Sequence, residues 1–203
     1  MSDSHESRHF KTILEKLRRG DAIQIVGLGD SLTYGWEASV SYFDLFVSRL
    51  RADYCGTAIT GHNAGICGDT AGGGAGRIGR LLEISPDAVI VQFGINDLYA
   101  GVSVDSYRAS VGAICRRVIR ANAVPLLITS GPLLYPEQQR DIAPYYDALK
   151  ATAMAYDCLC ADVASYIRER STDLVALYFD DGVHPNDAGY RAMSDALYDI
   201  CHL

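Results

Sequence analysis

No run of apolar residues in the chain approaches the roughly 20 that a membrane-spanning helix needs, and basic residues are in the minority, 18 against 25 acidic, for a formal net charge of −7. The first shortage leaves no candidate for stable membrane insertion. The second argues against nucleic acid as a partner, because binding it takes a dense basic face. One basic cluster is present, Arg8, Lys11, Lys16, Arg18 and Arg19. It reads as the solvated side of a helical lead-in over residues 1–20. The opening stretch, MSDSHESRHFKTILEKLRRG, also lacks the apolar core and small-residue cleavage site of a secretion signal. A cytoplasmic location is the expectation, and with it a reducing environment for Cys55, Cys67, Cys115, Cys158, Cys160 and Cys201. The spacing of Cys158-Leu-Cys160 fits neither a C-x-x-C redox pair nor a zinc knuckle. These cysteines read as small buried hydrophobes.

What the chain does have is 203 residues, 49% of them apolar and 21% charged, the proportions of one globular domain spanning 1–203. Short apolar runs at 22–28, 57–62, 87–94, 125–131 and 158–163 predict strands. Several are continuously apolar, as in parallel strands covered on both faces. Helical stripes separate them. Val104, Tyr107, Val111, Ile114 and Val118 follow a capping Ser103; Tyr42, Phe43, Phe46 and Leu50 form a second stripe; Tyr190, Met193, Leu197 and Ile200 a third, after Pro185. This alternation predicts a doubly wound α/β fold around a parallel sheet of about five strands. The GGGAG stretch at 72–76 reads as a mobile loop.

In such a sheet ligands gather beyond the carboxyl ends of the strands. Those ends carry Gly29-Asp30-Ser31, NAGICGD at 63–69 and GIND at 94–97, and DDGVHPN at 180–186 precedes the last helix. A serine hydroxyl is a useful nucleophile only when a base takes its proton and a third group orients that base. Of the five histidines, His5 and His9 belong to a fraying tail, His202 is penultimate, and His62 reads as a packed strand residue. His184 remains as the base for Ser31. Asp181, three positions earlier, is the favoured orienter, with Asp180 its neighbouring alternative. Donors for a developing oxyanion are available from the Ser31 amide at a helix start, the Gly68 amide and the Asn96 side chain. Asp30, Asn63 and Asp97 read as braces for their loops.

In GDSLT, NAGICGDT, GIND and DGVHPN, which follow one another between residues 29 and 186, the sequence resembles the GDSL (SGNH) hydrolases, a family of esterases and lipases. The resemblance implies a flavodoxin-like three-layer α/β/α sandwich, no metal or other cofactor, and a Ser31, His184, Asp181 triad. It also implies an oxyanion hole of the Ser31 and Gly68 amides with Asn96. The substrate would be a small-molecule carboxylic ester, cleaved through an acyl-enzyme. An acetylated carbohydrate, or acyl transfer with the same machinery, is the alternative, and oligomeric state is not legible. Tyr34, Trp36, Leu98, Tyr99, Leu133 and Tyr135 follow strand ends and could wall an acyl site.

Two other readings compete. GAGRIG at 74–79 fits the G-x-G-x-x-G dinucleotide pattern, with Asp97 as its acidic partner, but no strand directly precedes it. A non-catalytic binding protein of the same fold would be expected to lack one of the four blocks, and none is missing.

Overall fold

The computed structural model describes residues 8–201. All five strand candidates pair into one sheet, entirely parallel, in the order β2-β1-β3-β4-β5. In chain order the elements begin with α1 (Arg8–Arg19), β1 (Ile23–Gly29), α2 (Ser31–Tyr34), α3 (Tyr42–Asp53) and β2 (Ile59–Gly65). Then come α4 (Ala71–Leu82), β3 (Ala88–Gln92), α5 (Ile95–Tyr99), α6 (Val104–Arg120), β4 (Val124–Ile128) and α7 (Pro136–Ala155). The chain closes with β5 (Leu159–Ala161), α8 (Val163–Arg170), a 3-10 turn at Val175–Leu177 and α9 (Asp187–Ile200). Helices α4, α6 and α7 pack side by side on one face of the sheet, and α3, α9 and α8 on the other. The result is a three-layer sandwich.

Why these segments become buried parallel strands follows from their composition. Every residue of β3 (AVIVQ) and β4 (VPLLI) is buried, so alternation would have left one face unmatched to a helix. Pro125 sits inside β4 without weakening it. The Val124 amide donates across to Asp87 on the β3 side, so position 125 faces β5, whose pairing starts only at Leu126. The predicted second strand ends at 62, whereas β2 stays in register with β1 through Gly29 opposite Gly65.

The glycine-rich stretch at 72–76 is a correction to the sequence reading. It is not a loop but the opening turns of α4. Five glycines in twelve residues should disfavour a helix, at about 1 kcal/mol each relative to alanine. Three features offset that cost. Ala71, Gly74 and Ile78 recur at helical spacing and are buried. Thr70 caps the first turn by accepting from the Gly73 amide, and the Asp97 carboxylate accepts from the Ala71 amide. Gly74 also lets the helix lie directly on β3: a Cβ there would come within 2.5 Å of the Phe93 ring. The same helix swallows the G-x-G-x-x-G pattern. Gly74 is inside a helix rather than at a strand-to-helix turn, so the dinucleotide reading loses its geometric basis.

These glycines should separate cleanly in urea unfolding. Gly74→Ala is expected to destabilise by about 1–3 kcal/mol through overpacking against Phe93. Gly76→Ala and Gly79→Ala, whose Cβ atoms would meet nothing within 4 Å, should each stabilise by up to about 1 kcal/mol. Equal effects at positions 74 and 76 would contradict the packing account.

Candidate active site

The strand order switches at β1, with β2 added on one side and β3 on the other, and the crevice above that point is where the sequence blocks arrive. β1 ends at Gly29. Asp30 then caps the one-turn helix α2, accepting from the Leu32 amide at 2.9 Å, and Ser31 is the first helical residue. The Ser31 carbonyl accepts the Gly35 and Trp36 amides and the Tyr190 hydroxyl, which fixes the residue from the backbone side. Its Oγ lies 2.9 Å from His184 Nε2.

His184 is held by a loop stiffened at its base. Tyr178 and Pro185 form a bridge, the Phe179 amide donates to the His184 carbonyl, and the Asn186 amide group reaches the Ala176 and Tyr178 carbonyls before Asn186 caps α9. Asp181 grips the histidine twice. Its Oδ1 accepts the Val183 and His184 amides at 2.9 Å each, and its Oδ2 lies 2.6 Å from His184 Nδ1. Partial burial pulls the Asp181 carboxyl upward, but the hydrogen bonds from the His184 ring and these two amides outweigh it and leave it below the usual carboxylate range. An ionised Asp181 calls for a proton on Nδ1, which leaves the Nε2 lone pair facing the Ser31 hydroxyl. Asp180 contributes differently: its backbone carbonyl accepts from the Tyr135 hydroxyl.

Gly68, on the loop after β2, and Asn96, in the first turn of α5 after β3, arrive on either side of Ser31 in the sheet. Gly68 has φ +78°, and a Cβ there would meet nothing within 4 Å. Backbone conformation rather than crowding therefore calls for glycine. The Asn96 amide donates one hydrogen to the Asp69 carbonyl at 3.0 Å, leaving its second for another acceptor.

Among the expected wall residues, Tyr34 and Tyr99 are exposed, Leu98 is half-buried, and Trp36 packs at a tilt against His184 with ring centroids 4.3 Å apart. Leu133 differs: it is 2% exposed and belongs to the core, so it offers a substrate no surface. Tyr135 is exposed and leans over Gly182 as well as bonding Asp180, bracing the Asp181 loop. His62 lies within β2 beside Gln24. His5, His202 and the side chain of His9 fall outside the described residues.

Three contributors were missed in the sequence. Arg77, from α4, donates to the Gly29 carbonyl at 3.0 Å, the Ala64 carbonyl at 2.7 Å and the Asp69 carboxylate at 2.8 Å, joining the ends of β1 and β2 to the Gly68 turn. Gln92, buried at the end of β3, donates to Asp30 and accepts from Thr33, which also bonds Tyr42. Tyr190 is the third. A lone arginine among glycines and a lone glutamine closing an apolar strand were the available signals. Asn63 adds a further brace, donating to the Thr33 carbonyl, Ser41 and Asp44.

With this geometry in place, comparison with known proteins becomes informative. Residues 28–192 match the model of the GDSL-like Lipase/Acylhydrolase family. The chain belongs to that family. A relative, a multidomain esterase of Ruminococcus flavefaciens, is 29% identical over 84% of this chain, which spans only 27% of that much longer protein. An acetylxylan esterase from Geobacillus stearothermophilus superposes with a TM-score of 0.81 at 22% identity, covering 91% of this chain and 96% of its own. An α/β hydrolase from the metagenome of Lake Arreo, Spain, gives 0.79 at 22% identity, over 89% and 95%. At that identity the likeness is one of fold. Among the described residues no three His, Cys, Asp or Glu side chains converge as a metal-ligand set, and no helix is long and apolar enough to cross a membrane.

Directly behind Ser31, Asp30 carries an unusual charge state. Complete burial pushes its carboxyl up to about 7, against the lowering effect of the Leu32 and Gln92 hydrogen bonds and with help from the charges of Asp97 and Asp69. Its neutral form is favoured in the folded chain, so the stability it contributes is present below about pH 4 and is lost as pH rises through 7. Measured against Asp30→Asn by urea unfolding, the wild type should give up about 2–3 kcal/mol of relative stability between about pH 5 and about pH 8. A wild-type-to-variant difference that ignores pH would mean Asp30 is ionised throughout.

Proposed function

We propose that the chain is a serine esterase that cleaves carboxylic esters of small molecules through an acyl-enzyme. One observation carries the reading: the unbroken line from Ser31 Oγ through both nitrogens of His184 to Asp181, at 2.9 and 2.6 Å. His184 Nε2 takes the Ser31 proton as Oγ attacks the ester carbonyl. The charge that develops on the carbonyl oxygen is met by the Ser31 and Gly68 amides and the free hydrogen of Asn96. His184 then protonates the departing alcohol, and water enters by the reverse roles to release the acid. Asp181 keeps the imidazole in the required tautomer and stays ionised while the imidazolium exists.

Within this chemistry, acetylated carbohydrate is the substrate reading with an observation behind it. The exposed rings of Tyr34, Tyr99 and Tyr135 border the Ser31 and Asp181 loops, offering flat faces of the kind sugar rings stack on. The structurally similar Geobacillus protein is named an acetylxylan esterase. Both substrate readings use the same triad and differ only in what the rim binds.

Labelling and turnover test this together. A fluorophosphonate should label Ser31, and Ser31→Ala should lose both the label and at least about 10⁴-fold in kcat. Asp181→Asn should keep the fold and lose on the order of 10³–10⁴ in kcat. A series of p-nitrophenyl esters from acetate to octanoate, run beside acetylated xylo-oligosaccharides, then assigns the acyl and alcohol parts. Full activity in folded Ser31→Ala would overturn the mechanism.

A further inference from the structure

The sole tryptophan of the chain stands against the histidine of the candidate triad. Trp36 follows Ser31 by five residues, and its amide donates to the Ser31 carbonyl, so the turn that presents the nucleophile also places the indole. The His184 and indole ring centroids lie 4.3 Å apart with planes inclined by 42°, a close tilted contact. A second contact comes from the same loop: Phe179 meets the indole in a T-shaped arrangement at 6.3 Å and 88°. Trp36 thus links the turn that carries Ser31 to the loop that carries His184 through two ring contacts.

We propose that Trp36 is a positioning residue of the reaction: its face holds the His184 ring plane between Ser31 and Asp181 and stabilises the imidazolium formed as Ser31 attacks. The inference rests on reading Ser31, His184 and Asp181 as a working triad. An aromatic face attracts a cation, most strongly when it is an indole and partly removed from water, and both rings here are half-buried. The charge on His184 exists only between proton uptake from Ser31 and its return to the leaving group, so this attraction favours the transition state over the resting enzyme.

The titratable groups around the pair are few. Asp181 holds Nδ1, and Asp180 precedes it in the chain. Tyr99, at the end of α5, and Tyr190, on α9, both feel the Asp181 charge, and burial holds both phenols above their ordinary range, so they stay neutral at working pH. Asp30 lies behind the Ser31 turn and titrates near neutrality.

Because Trp36 is the only tryptophan, its emission reads the contact without any substrate. Protonation of His184 should quench it in a single pH step, and His184→Gln should abolish that step while leaving Asp30 in place. A step that survives in His184→Gln, or no step at all, overturns the inference. In turnover of an acetate ester, Trp36→Leu should lower kcat about tenfold and leave KM within about twofold. It should also move the acid limb of the kcat profile toward lower pH, and Trp36→Phe should restore most of the loss. A rise in KM alone, with kcat and the acid limb unchanged, would make Trp36 a wall of the acyl site and nothing more. Fluorophosphonate labelling of wild-type Ser31 separates the two levels: no label sinks the esterase reading and this inference with it, whereas a label with flat Trp36 readouts sinks only the role of Trp36.

Discussion

The guanidinium of Arg77 closes a problem that every parallel sheet creates at its carboxyl edge. Strand-end carbonyls there have no further strand residues to bond, and the loops that leave them must still be held to a fraction of an ångström if they carry chemistry. Arg77 offers a planar fork of fixed donors, and three of its nitrogens are used on three different segments: the end of β1, the end of β2 and Asp69. Asp69 in turn lends its carbonyl to Asn96 in α5, after β3. A single cation therefore ties together the chain on either side of Ser31, Gly68 and Asn96. A lysine could supply the charge but not the directions.

That cation also sets the electrostatics of the region. Asp69 is paired with Arg77, while among the described residues Asp30 and Asp97 lie buried nearby without a cation of their own. Three carboxylates in so small a volume cannot all ionise without cost, and the two without a partner are the two held above the ordinary carboxylate range, chiefly by burial. Both are instead used as hydrogen-bond acceptors for helix starts, Asp30 for α2 and Asp97 for α4. The negative charge that matters for catalysis is kept apart on the more exposed Asp181 loop. The division puts a carboxyl that titrates near neutrality behind the nucleophile and an ionised one behind the base.

Much of this was legible in the sequence because it is local. Strands β3 and β4 announce themselves as unbroken apolar runs, and α6 by the spacing of Tyr107, Val111, Ile114 and Val118 behind Ser103. The chemical blocks were visible because polar residues at four loop sites need a reason beyond chain reversal. What escaped depends on contacts distant in sequence. GGGAG has the composition of a loop, and only the partners that α4 finds, Phe93 beneath Gly74 and Asp97 at its first amide, make it a helix. Leu133 follows a strand end, as a wall residue should, yet the chain turns it inward to the core. Arg77 and Gln92 were single polar residues in apolar surroundings, and a sequence does not say which carbonyls such residues will meet.

The resting geometry of the site follows from how few independent pieces support it. Ser31 and Trp36 ride on one short turn, and His184, Asp181 and Phe179 on one short loop. Tyr190 donates to the Ser31 carbonyl, tying α9 to that turn. The same helix starts at Asn186, two residues after His184, and Asn186 anchors the histidine loop at its base. Nucleophile and base are therefore both held at the first turn of one helix, so their separation is decided when α9 packs rather than when substrate arrives. Organisation of that kind moves the entropic cost of aligning reacting groups from the catalytic step to folding, where the large core of the sandwich offsets it.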